Sequence, residues 1–138
     1  MQLLNSSQYA IRILSYIANN ENQSLYCAKD LSETLIIPYK FLTKIMTDLV
    51  KAEFIISVRG REGGYRLAKP ASTITVIEIL NVFNDFINRE QCVLGIGKCD
   101  GDHKCAMHDK WKKPKDVIQI MFEETTLENL EGRDFKLC

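Results

Sequence analysis

Residues 54–67 restrict the possible fold of this chain more than any other segment, because two short alternating stretches flank a glycine-rich turn. Phe54–Arg59 and Tyr65–Leu67 have the pattern of strands, and the segment Gly60–Gly64 between them contains too much glycine for anything but a turn. Apolar residues on both sides of this segment recur with helical spacing instead. The sequence therefore predicts a mostly α fold with one small β-hairpin.

Two helices are predicted ahead of residue 36. In the first, Ser6 or Ser7 would be the N-cap. One apolar face with the spacing i, i+3, i+4 and i+7 is formed by Ala10, Ile13, Leu14 and Ile17. The second helix is shorter and runs from about Cys27 to Thr34. Cys27 lies far from the other cysteines in the sequence, and we expect it to be a small buried thiol.

A third helix is expected to begin at Pro38, whose missing N–H costs nothing at the first helical position, and to end near Ala52. Its inward side would contain Phe41, Leu42, Ile45, Met46 and Leu49. Its outward side would contain Lys40, Thr43, Lys44, Thr47 and Lys51. Two short helices joined by a tight turn form a helix-turn-helix, whose second helix enters the major groove of DNA. For this helix taken alone, an ordinary solvated face is the simpler explanation.

The hairpin follows this helix directly, so the two elements have the order of a winged helix. Arg59 and Arg61 lie at the tip of the hairpin, where a wing places cations against the DNA backbone or in a narrow minor groove. The chain has no formal net charge, but residues 1–69 contain nine Lys or Arg against six Asp or Glu, and residues 70–138 contain nine against twelve. The combination of helix, wing and basic N-terminal half predicts DNA binding.

A further helix is expected from Thr75, which forms a T-x-x-E capping box with Glu78. Towards the C-terminus, helical spacing continues at Ile118, Met121 and Phe122, with Pro114 near the start of that helix. Residues 126–130 are predicted to be a short terminal helix. An amphipathic helix this far from the N-terminal core needs a partner surface, which a second copy of the chain would supply. The alternative is that it packs onto its own domain.

Residues 92–111 contain three of the five cysteines and both histidines. The spacing C-x6-C-x5-C-x2-H presents four possible metal ligands, Cys92, Cys99, Cys105 and His108, and the glycines between them allow the chain to fold back. Iron–sulfur clusters accept long gaps and sometimes a histidine ligand, whereas structural zinc sites usually have closely spaced cysteine pairs. The spacing alone leaves a cluster, zinc and unliganded thiols open, with His103 as an alternative fourth ligand. Disulfides are not expected in a reducing compartment.

Several classes of protein are not expected. No apolar run approaches the length of a membrane span, and the N-terminus lacks the pattern of a signal peptide, so we expect a cytoplasmic protein that does not enter a membrane. The sequence contains no Ser/His/Asp arrangement, no phosphate-binding glycine loop and no carboxylate pair set for acid–base work. We therefore do not expect an enzyme.

In these motifs the chain resembles the Rrf-type family of bacterial winged-helix transcriptional regulators, which contains the iron–sulfur regulators IscR, NsrR and RirA. The resemblance extends from Met1 to about Leu130. It is carried by Tyr9-Ala10, by Pro38-x-x-Phe41-Leu42, by Val58-Arg59-Gly60-x-x-Gly63-Gly64-Tyr65-x-Leu67-Ala68, by the cysteine segment ending in Trp111, and by Thr126-Leu127-x-x-Leu130.

The resemblance implies a homodimeric winged helix whose C-terminal helices pair, which binds palindromic promoter DNA and uses an iron–sulfur cluster, [2Fe-2S] or [4Fe-4S], as its sensor. The implied cluster ligands are Cys92, Cys99, Cys105 and His108. Family members read bases at the positions of Lys40, Thr43 and Lys44, and reach the minor groove at the position of Arg59, beside which Arg61 lies. Gln8 stands where NsrR-like members have a carboxylate, so the subfamily stays open.

The expected organisation is a winged helix-turn-helix DNA-binding region at residues 1–74, a linking helix at 75–91, a cluster-binding loop at 92–111, and a dimerisation helix with a tail at 112–138. We expect a transcriptional regulator that senses redox stress, nitric oxide or the iron and cluster status. One alternative is a constitutive winged-helix repressor with a structural zinc site. The other is a small iron–sulfur electron-transfer protein, which would leave the wing unexplained.

Overall fold

The computed structural model of the protein describes residues 3–20, 23–85, 92–98 and 101–130. Within these ranges the chain forms, in order, α1 (Asn5–Asn19), α2 (Ala28–Leu35), α3 (Tyr39–Lys51), β1 (Ile55–Val58), β2 (Gly64–Leu67), a 3-10 turn (Ala71–Thr73), α4 (Val76–Val82) and α5 (His108–Glu124). This is the mostly helical architecture with a small wing that the sequence predicts.

The core lies among α1, α2, α3 and the base of the hairpin. The apolar face predicted for α1 is buried in full, at Ala10, Ile13, Leu14 and Ile17. The buried residues of α3 are Leu42, Ile45, Met46 and Leu49. Each of these larger side chains contributes about 1.5–3 kcal/mol by leaving water. The inward side of α3 is thereby fixed, which determines the direction of its outward side.

Two side chains expected in the core lie on the surface instead. Phe41 is 55% exposed, because it lies at the edge of the inward side of α3, one position before the fully buried Leu42. Cys27 is exposed as well. It has an extended backbone at the N-cap of α2, ahead of the first helical turn, and so it does not share the buried side of that helix. The predictions that these two residues are buried were wrong.

The wing is an antiparallel hairpin in which Ile55 lies opposite Leu67 and Val58 opposite Gly64. Tyr26 adds a one-residue bridge to β2: its N–H donates to the carbonyl of Tyr65 at 2.9 Å, and its carbonyl accepts from the Tyr65 N–H at 2.8 Å. The chain ahead of α2 therefore pairs with β2. This bridge was not predicted, because a single paired residue has no periodic pattern.

Both ends of α4 are fixed by hydrogen bonds. At the start, the predicted capping box is confirmed: the Thr75 N–H donates to Glu78 Oε2 at 2.9 Å, and the Glu78 N–H donates to Thr75 Oγ1 at 3.4 Å. After the helix, Asn84 adopts a left-handed conformation with φ 53°, and the Asp85 N–H donates to the Leu80 carbonyl at 3.0 Å. This reversal directs Asp85 back towards the start of α1.

The first helix is not capped by a serine. The N-cap is Leu4, which has no capping side chain, and Ser7 is buried inside the helix. The Leu4 N–H instead donates to Asp85 Oδ2 at 2.8 Å. The prediction of a Ser6 or Ser7 cap was therefore wrong, because a carboxylate from a distant part of the chain accepts this hydrogen bond.

After α5 the chain returns to the start of α4. The Val76 N–H donates to the Thr125 carbonyl at 2.9 Å, and the Leu127 N–H donates to the Ile74 carbonyl at 3.0 Å. Leu127 is fully buried in the main core. The short helix predicted at residues 126–130 was wrong, because Thr126 pairs as an isolated bridge and the residues after it form a turn.

Helix α5 begins at His108, so Pro114 lies inside it rather than near its start. The prediction placed this start too late, and the helix begins within the segment assigned to the loop at 92–111. One side of α5 packs against α4. Val117, Ile120 and Met121 share another side and are 64%, 49% and 50% exposed. In the described part of the chain, every helix is too short or too polar to cross a membrane.

Candidate DNA-binding surface and cysteine site

The outward side of α3 carries exposed cations at Lys40, Lys44 and Lys51, with exposed Thr47 among them, whereas Thr43 is half-buried. The Thr43 hydroxyl donates to the Lys40 carbonyl at 3.1 Å, and the Thr47 hydroxyl donates to the Thr43 carbonyl at 3.0 Å. The threonine hydroxyls thus bond to their own helix, and the lysines provide the positive charge of this side. The predicted base-reading residues Lys40, Thr43 and Lys44 are neighbours there.

Arg59 and Arg61 are exposed on the wing, Arg59 directly after β1 and Arg61 in the turn. The turn is closed by a hydrogen bond of 3.0 Å from the Gly63 N–H to the Gly60 carbonyl. A Cβ at Gly63 would lie 2.1 Å from the Val58 carbonyl oxygen, so no other residue fits this turn without a shift of the backbone. The structure therefore places both predicted arginines at the tip of the wing.

One exposed side chain of α3 was not among the predicted DNA contacts. Tyr39 is the first residue of α3, and its side chain is 57% exposed. It lies one helical turn before Thr43 and next to Lys40. Its position directly after Pro38 could have revealed it, because the first turn of a recognition helix meets the base edges.

The cysteine segment begins with a tight loop at residues 92–97. The Gly95 N–H donates to the Cys92 carbonyl and the Cys92 N–H donates to the Gly97 carbonyl, both at 2.8 Å. Positive φ angles of 73° at Gly95 and 108° at Gly97 make this path possible. The buried Cys92 sulfur accepts the Leu94 N–H at 3.4 Å.

Cys92 and Cys105 are distant in the loop sequence, but their side chains share a hydrogen bond. This bond, followed by the N–H of Leu94, holds the pKa of the Cys92 thiol below its ordinary value, while burial opposes the shift. A lowered pKa favours the thiolate, which is the form that binds metals. Two of the predicted ligands are therefore in direct contact, and the surroundings of Cys92 favour its thiolate form.

Both thiols line an open cavity of about 720 Å³, together with Ile96, Lys98, His103 and Lys104. The lysines would offset the negative charge of thiolates at this site, although Lys104 Nζ also lies 3.8 Å from Asp109 Oδ1. His108 is the half-buried first residue of α5, and its N–H donates to the Cys105 carbonyl at 3.1 Å. Of the two histidines, His103 lines this cavity, whereas His108 is not among the residues that line it.

The remaining predicted cysteine ligand, Cys99, lies outside the described residues. Within residues 92–98 and 101–130 and the rest of the described chain, no three His, Cys, Asp or Glu side chains converge closely enough to hold a metal ion. The two thiols that do meet are soft donors, which suit iron–sulfur clusters and zinc. Cys92 and Cys105 therefore fit such a group as a partial ligand set.

One protein-family model matches nearly the whole chain. A family model described as Rrf2, an iron-dependent transcriptional regulator, matches residues 3–132. The chain belongs to the Rrf2 family. This confirms the resemblance stated from the motifs of α1, α3, the wing and the cysteine segment.

Three similar Rrf2 relatives are named as regulators of transcription. An HTH-type transcriptional regulator of Aquifex aeolicus is 36% identical over 125 residues, which is 89% of this chain and 86% of the relative. The regulator NsrR of Oceanobacillus iheyensis is 33% identical, over 94% of this chain and 89% of its own length. The regulator IscR of Escherichia coli is 31% identical, over 94% and 80%. None of these three is named as an enzyme, in agreement with the expectation from the sequence.

Solved structures have the same fold. CymR of B. subtilis, named as the global cysteine regulator of that organism, has a TM-score of 0.78 at 22% identity, over 94% of this chain and 95% of that one. IscR of T. potens has a TM-score of 0.71 at 22% identity, over 94% and 85%. The predicted winged-helix fold is thereby confirmed, and the chain is an Rrf2-family transcriptional regulator.

Proposed function

We propose that this Rrf2-family regulator binds palindromic promoter DNA as a homodimer, and that an iron–sulfur cluster in its cysteine segment controls that binding. The observation that carries the proposal is the contact between Cys92 and Cys105 at one cavity, with the lowered pKa of the Cys92 thiol. The description of the family as iron-dependent supports iron over zinc. CymR, named as a global cysteine regulator, has the same fold, so the experiment below compares the protein with and without its cluster.

The proposed ligands are the thiolates of Cys92, Cys99 and Cys105 with the imidazole of His108, and His103 is the alternative fourth ligand. When bound, a [2Fe-2S] or [4Fe-4S] cluster would supply a centre that responds to redox stress, nitric oxide or loss of iron. The N–H of Leu94 points at the Cys92 sulfur and so stabilises its thiolate. Lys98 and Lys104 add positive charge at the same cavity.

The cysteine segment is joined at both ends to elements that contact the DNA-binding region. Before it, Asp85 bonds to Leu4 at the start of α1. After it, the Cys105 carbonyl bonds to the first N–H of α5, and α5 packs against α4. Because α4 packs against α1, and α1 packs against both α3 and β2, a change in the geometry of the segment would be transmitted to the recognition helix and the wing. This is the proposed route from the cluster to the DNA.

The exposed side of α5 supports the homodimer. Val117, Ile120 and Met121 form an apolar stripe at helical spacing that is exposed in the described part of the chain. A two-fold symmetric pairing would bury this stripe against its copy and would present two recognition helices and two wings to a palindrome.

The decisive experiment compares DNA binding with and without the cluster. Protein purified without oxygen would be examined by absorption and electron paramagnetic resonance spectroscopy, with iron and sulfide analysis. Its affinity for a duplex selected from a random-sequence library would then be measured for the holo form, for the chelator-treated form and for Cys92→Ala. We expect a coloured protein whose affinity or sequence preference changes when the cluster is removed.

Cys27→Ala is the matched control, because Cys27 is an exposed cysteine outside the cysteine segment. It should retain the full iron and sulfide content. His108→Ala and His103→Ala identify the fourth ligand by a change in the spectrum. Equal affinity and equal preference in holo and chelated forms would overturn cluster control, and a colourless protein with one zinc per chain would identify a zinc-stabilised repressor instead.

A further inference from the structure

Tyr39 is a large side chain that the fold positions but does not bury. It is the first residue of α3, and 57% of it is exposed. The core takes its side chains from the other side of the same helix, at Leu42, Ile45, Met46 and Leu49. Lys40 follows Tyr39 directly, and Thr43 lies one turn further on the same flank. Tyr39 is therefore placed among the residues assigned to base reading.

A second exposed apolar residue lies just ahead of Tyr39. Ile36 is 59% exposed, and it has a φ of 53° at the C-cap of α2. A β-branched residue rarely adopts this left-handed conformation, and such strain is often kept at functional sites. The turn before α3 and the first residue of α3 thus both present apolar surface to solvent, at the end of the helix that approaches DNA first.

The surrounding charge determines what can cover this end of α3. Lys40, Lys44 and Lys51 make the outward side of the helix cationic, which suits a polyanion. The base edges in the major groove of DNA are hydrogen-bonding groups with one apolar exception, the C5-methyl group of thymine. An apolar side chain on a cationic recognition helix therefore has one well-matched target in that groove.

We infer that Tyr39 is a specificity-determining residue, whose ring packs against the C5-methyl group of a thymine in each half-site. This inference rests on the DNA-binding function proposed above and deepens it, because it assigns a base to a residue. Lys40 and Thr43 meet the neighbouring base pairs on the same side of α3.

Phe41 provides a matched comparison within the same helix. It is 55% exposed, almost as much as Tyr39, but it lies on the opposite flank of α3. There it lines a cleft of about 210 Å³ between α3 and α1, with Ser6, Tyr9, Lys44 and Asp48. Phe41 thus lies beside the first helix, on the side of α3 away from Tyr39 and Thr43.

The test removes single methyl groups from the DNA. A duplex is selected from a random-sequence library by the wild-type protein, purified without oxygen, and each thymine is replaced in turn by deoxyuridine, which lacks only the C5-methyl. At one thymine in each half-site, we expect the replacement to weaken wild-type binding about fourfold. This factor corresponds to the free energy gained by burying one apolar carbon. Tyr39→Ala should bind the thymine and deoxyuridine duplexes equally.

Two further variants separate the contribution of the Tyr39 ring from that of its hydroxyl and from that of another aromatic ring on α3. Tyr39→Phe should keep the full preference for thymine, because the ring remains, and Phe41→Ala should keep it as well. Thermal melting of each variant verifies folding, and the discrimination ratio does not depend on total affinity. If no thymine position shows a loss, or if Tyr39→Ala discriminates as the wild type does, the inference is overturned while DNA binding stands. If the library yields no duplex at all, the proposed function fails and the inference fails with it.

Discussion

The backbone N–H of Leu4 donates a 2.8 Å hydrogen bond to Oδ2 of Asp85, a residue 81 positions later in the chain. Asp85 is 9% exposed, and the left-handed Asn84 directs it to this place. A carboxylate at a helix N-terminus accepts an N–H that has no partner within the helix, and it interacts favourably with the helix dipole. Asp85 thus caps α1 from the far end of α4 and joins the exit towards the cysteine segment to the DNA-binding region.

Asp85→Ala should lower the free energy of unfolding by about 2 kcal/mol, because it removes a charged acceptor and leaves the Leu4 N–H without its partner. Urea denaturation followed by circular dichroism measures this loss. Asp85→Asn keeps an acceptor oxygen and removes the charge, so it should lose about half as much.

Glu33→Ala is the control for the Asp85 variants, because it removes one negative charge from an exposed position in α2. It should change stability by less than about 0.5 kcal/mol. A stability of Asp85→Ala equal to that of the control would mean that the bond to Leu4 does not hold the start of α1.

This bond also marks the limit of what the sequence predicts. The faces of α1 and α3 follow from local spacing, and the capping box at Thr75 and Glu78 is confirmed because both of its partners lie within one turn. The caps and pairings that join distant residues have no local pattern. Leu4 with Asp85, Tyr26 with Tyr65, and Leu127 with Ile74 were therefore all missed.

The wing provides a prediction about steric fit. Gly63→Ala would place a Cβ 2.1 Å from the Val58 carbonyl oxygen and 2.9 Å from that of Gly60, and both of these atoms belong to the backbone. The turn must open, which displaces Arg59 and Arg61, so we expect affinity for the selected duplex to fall at least about tenfold, equivalent to about 1.4 kcal/mol. Fluorescence anisotropy with the labelled duplex measures this effect.

Gly60→Ala separates the collision at Gly63 from backbone strain. Gly60 has a φ of 113°, but no atom lies within 4 Å of the place that a Cβ would occupy, so alanine there meets strain without collision. We expect a smaller cost of about 1 kcal/mol in stability and a smaller loss of affinity. Equal effects of the two substitutions would show that the tight fit at Gly63 does not determine the shape of the wing.

The turn before α3 should become more stable when its strain is removed. Ile36 has a φ of 53° and is 59% exposed, so glycine there relieves the left-handed backbone and loses little burial. We expect Ile36→Gly to raise the free energy of unfolding by about 0.5–1 kcal/mol, since the relief of about 1–2 kcal/mol exceeds the entropic cost of glycine. Urea denaturation is again the measurement.

Two substitutions serve as controls for Ile36→Gly. Ile36→Val keeps the β-branched side chain and should leave stability unchanged within about 0.5 kcal/mol. Ile37→Ala, one position later, should lose about 2–4 kcal/mol, because Ile37 is 2% exposed in the core. A loss of stability in Ile36→Gly would contradict strain at this turn.

At the candidate sites, the sequence predicted which residues take part better than it predicted which side chains lie next to them. The cysteine spacing identified Cys92 and Cys105, whose thiols meet at one cavity, but it left His108 and His103 as alternatives and did not indicate that His103 is the one that lines this cavity. In α3, helical spacing placed Phe41 inward, although burial at the edge of a helix depends on the neighbouring helix and not on the period. The same limitation left Tyr39 unassigned, because exposure of an aromatic side chain is a property of the fold.

The apolar stripe of α5 predicts which substitution should weaken the proposed dimer. If Val117, Ile120 and Met121 meet a second copy, then Ile120→Glu buries a charge without a partner at the interface. We expect the dimer dissociation constant to rise at least about a hundredfold, equivalent to about 2.7 kcal/mol, with a parallel loss of affinity for the palindromic duplex. Sedimentation equilibrium measures the dissociation constant.

Lys112→Gln changes the net charge by the same amount at an exposed position on another side of α5, and it should remain dimeric. An Ile120→Glu protein that stays dimeric would place the interface elsewhere on the molecule.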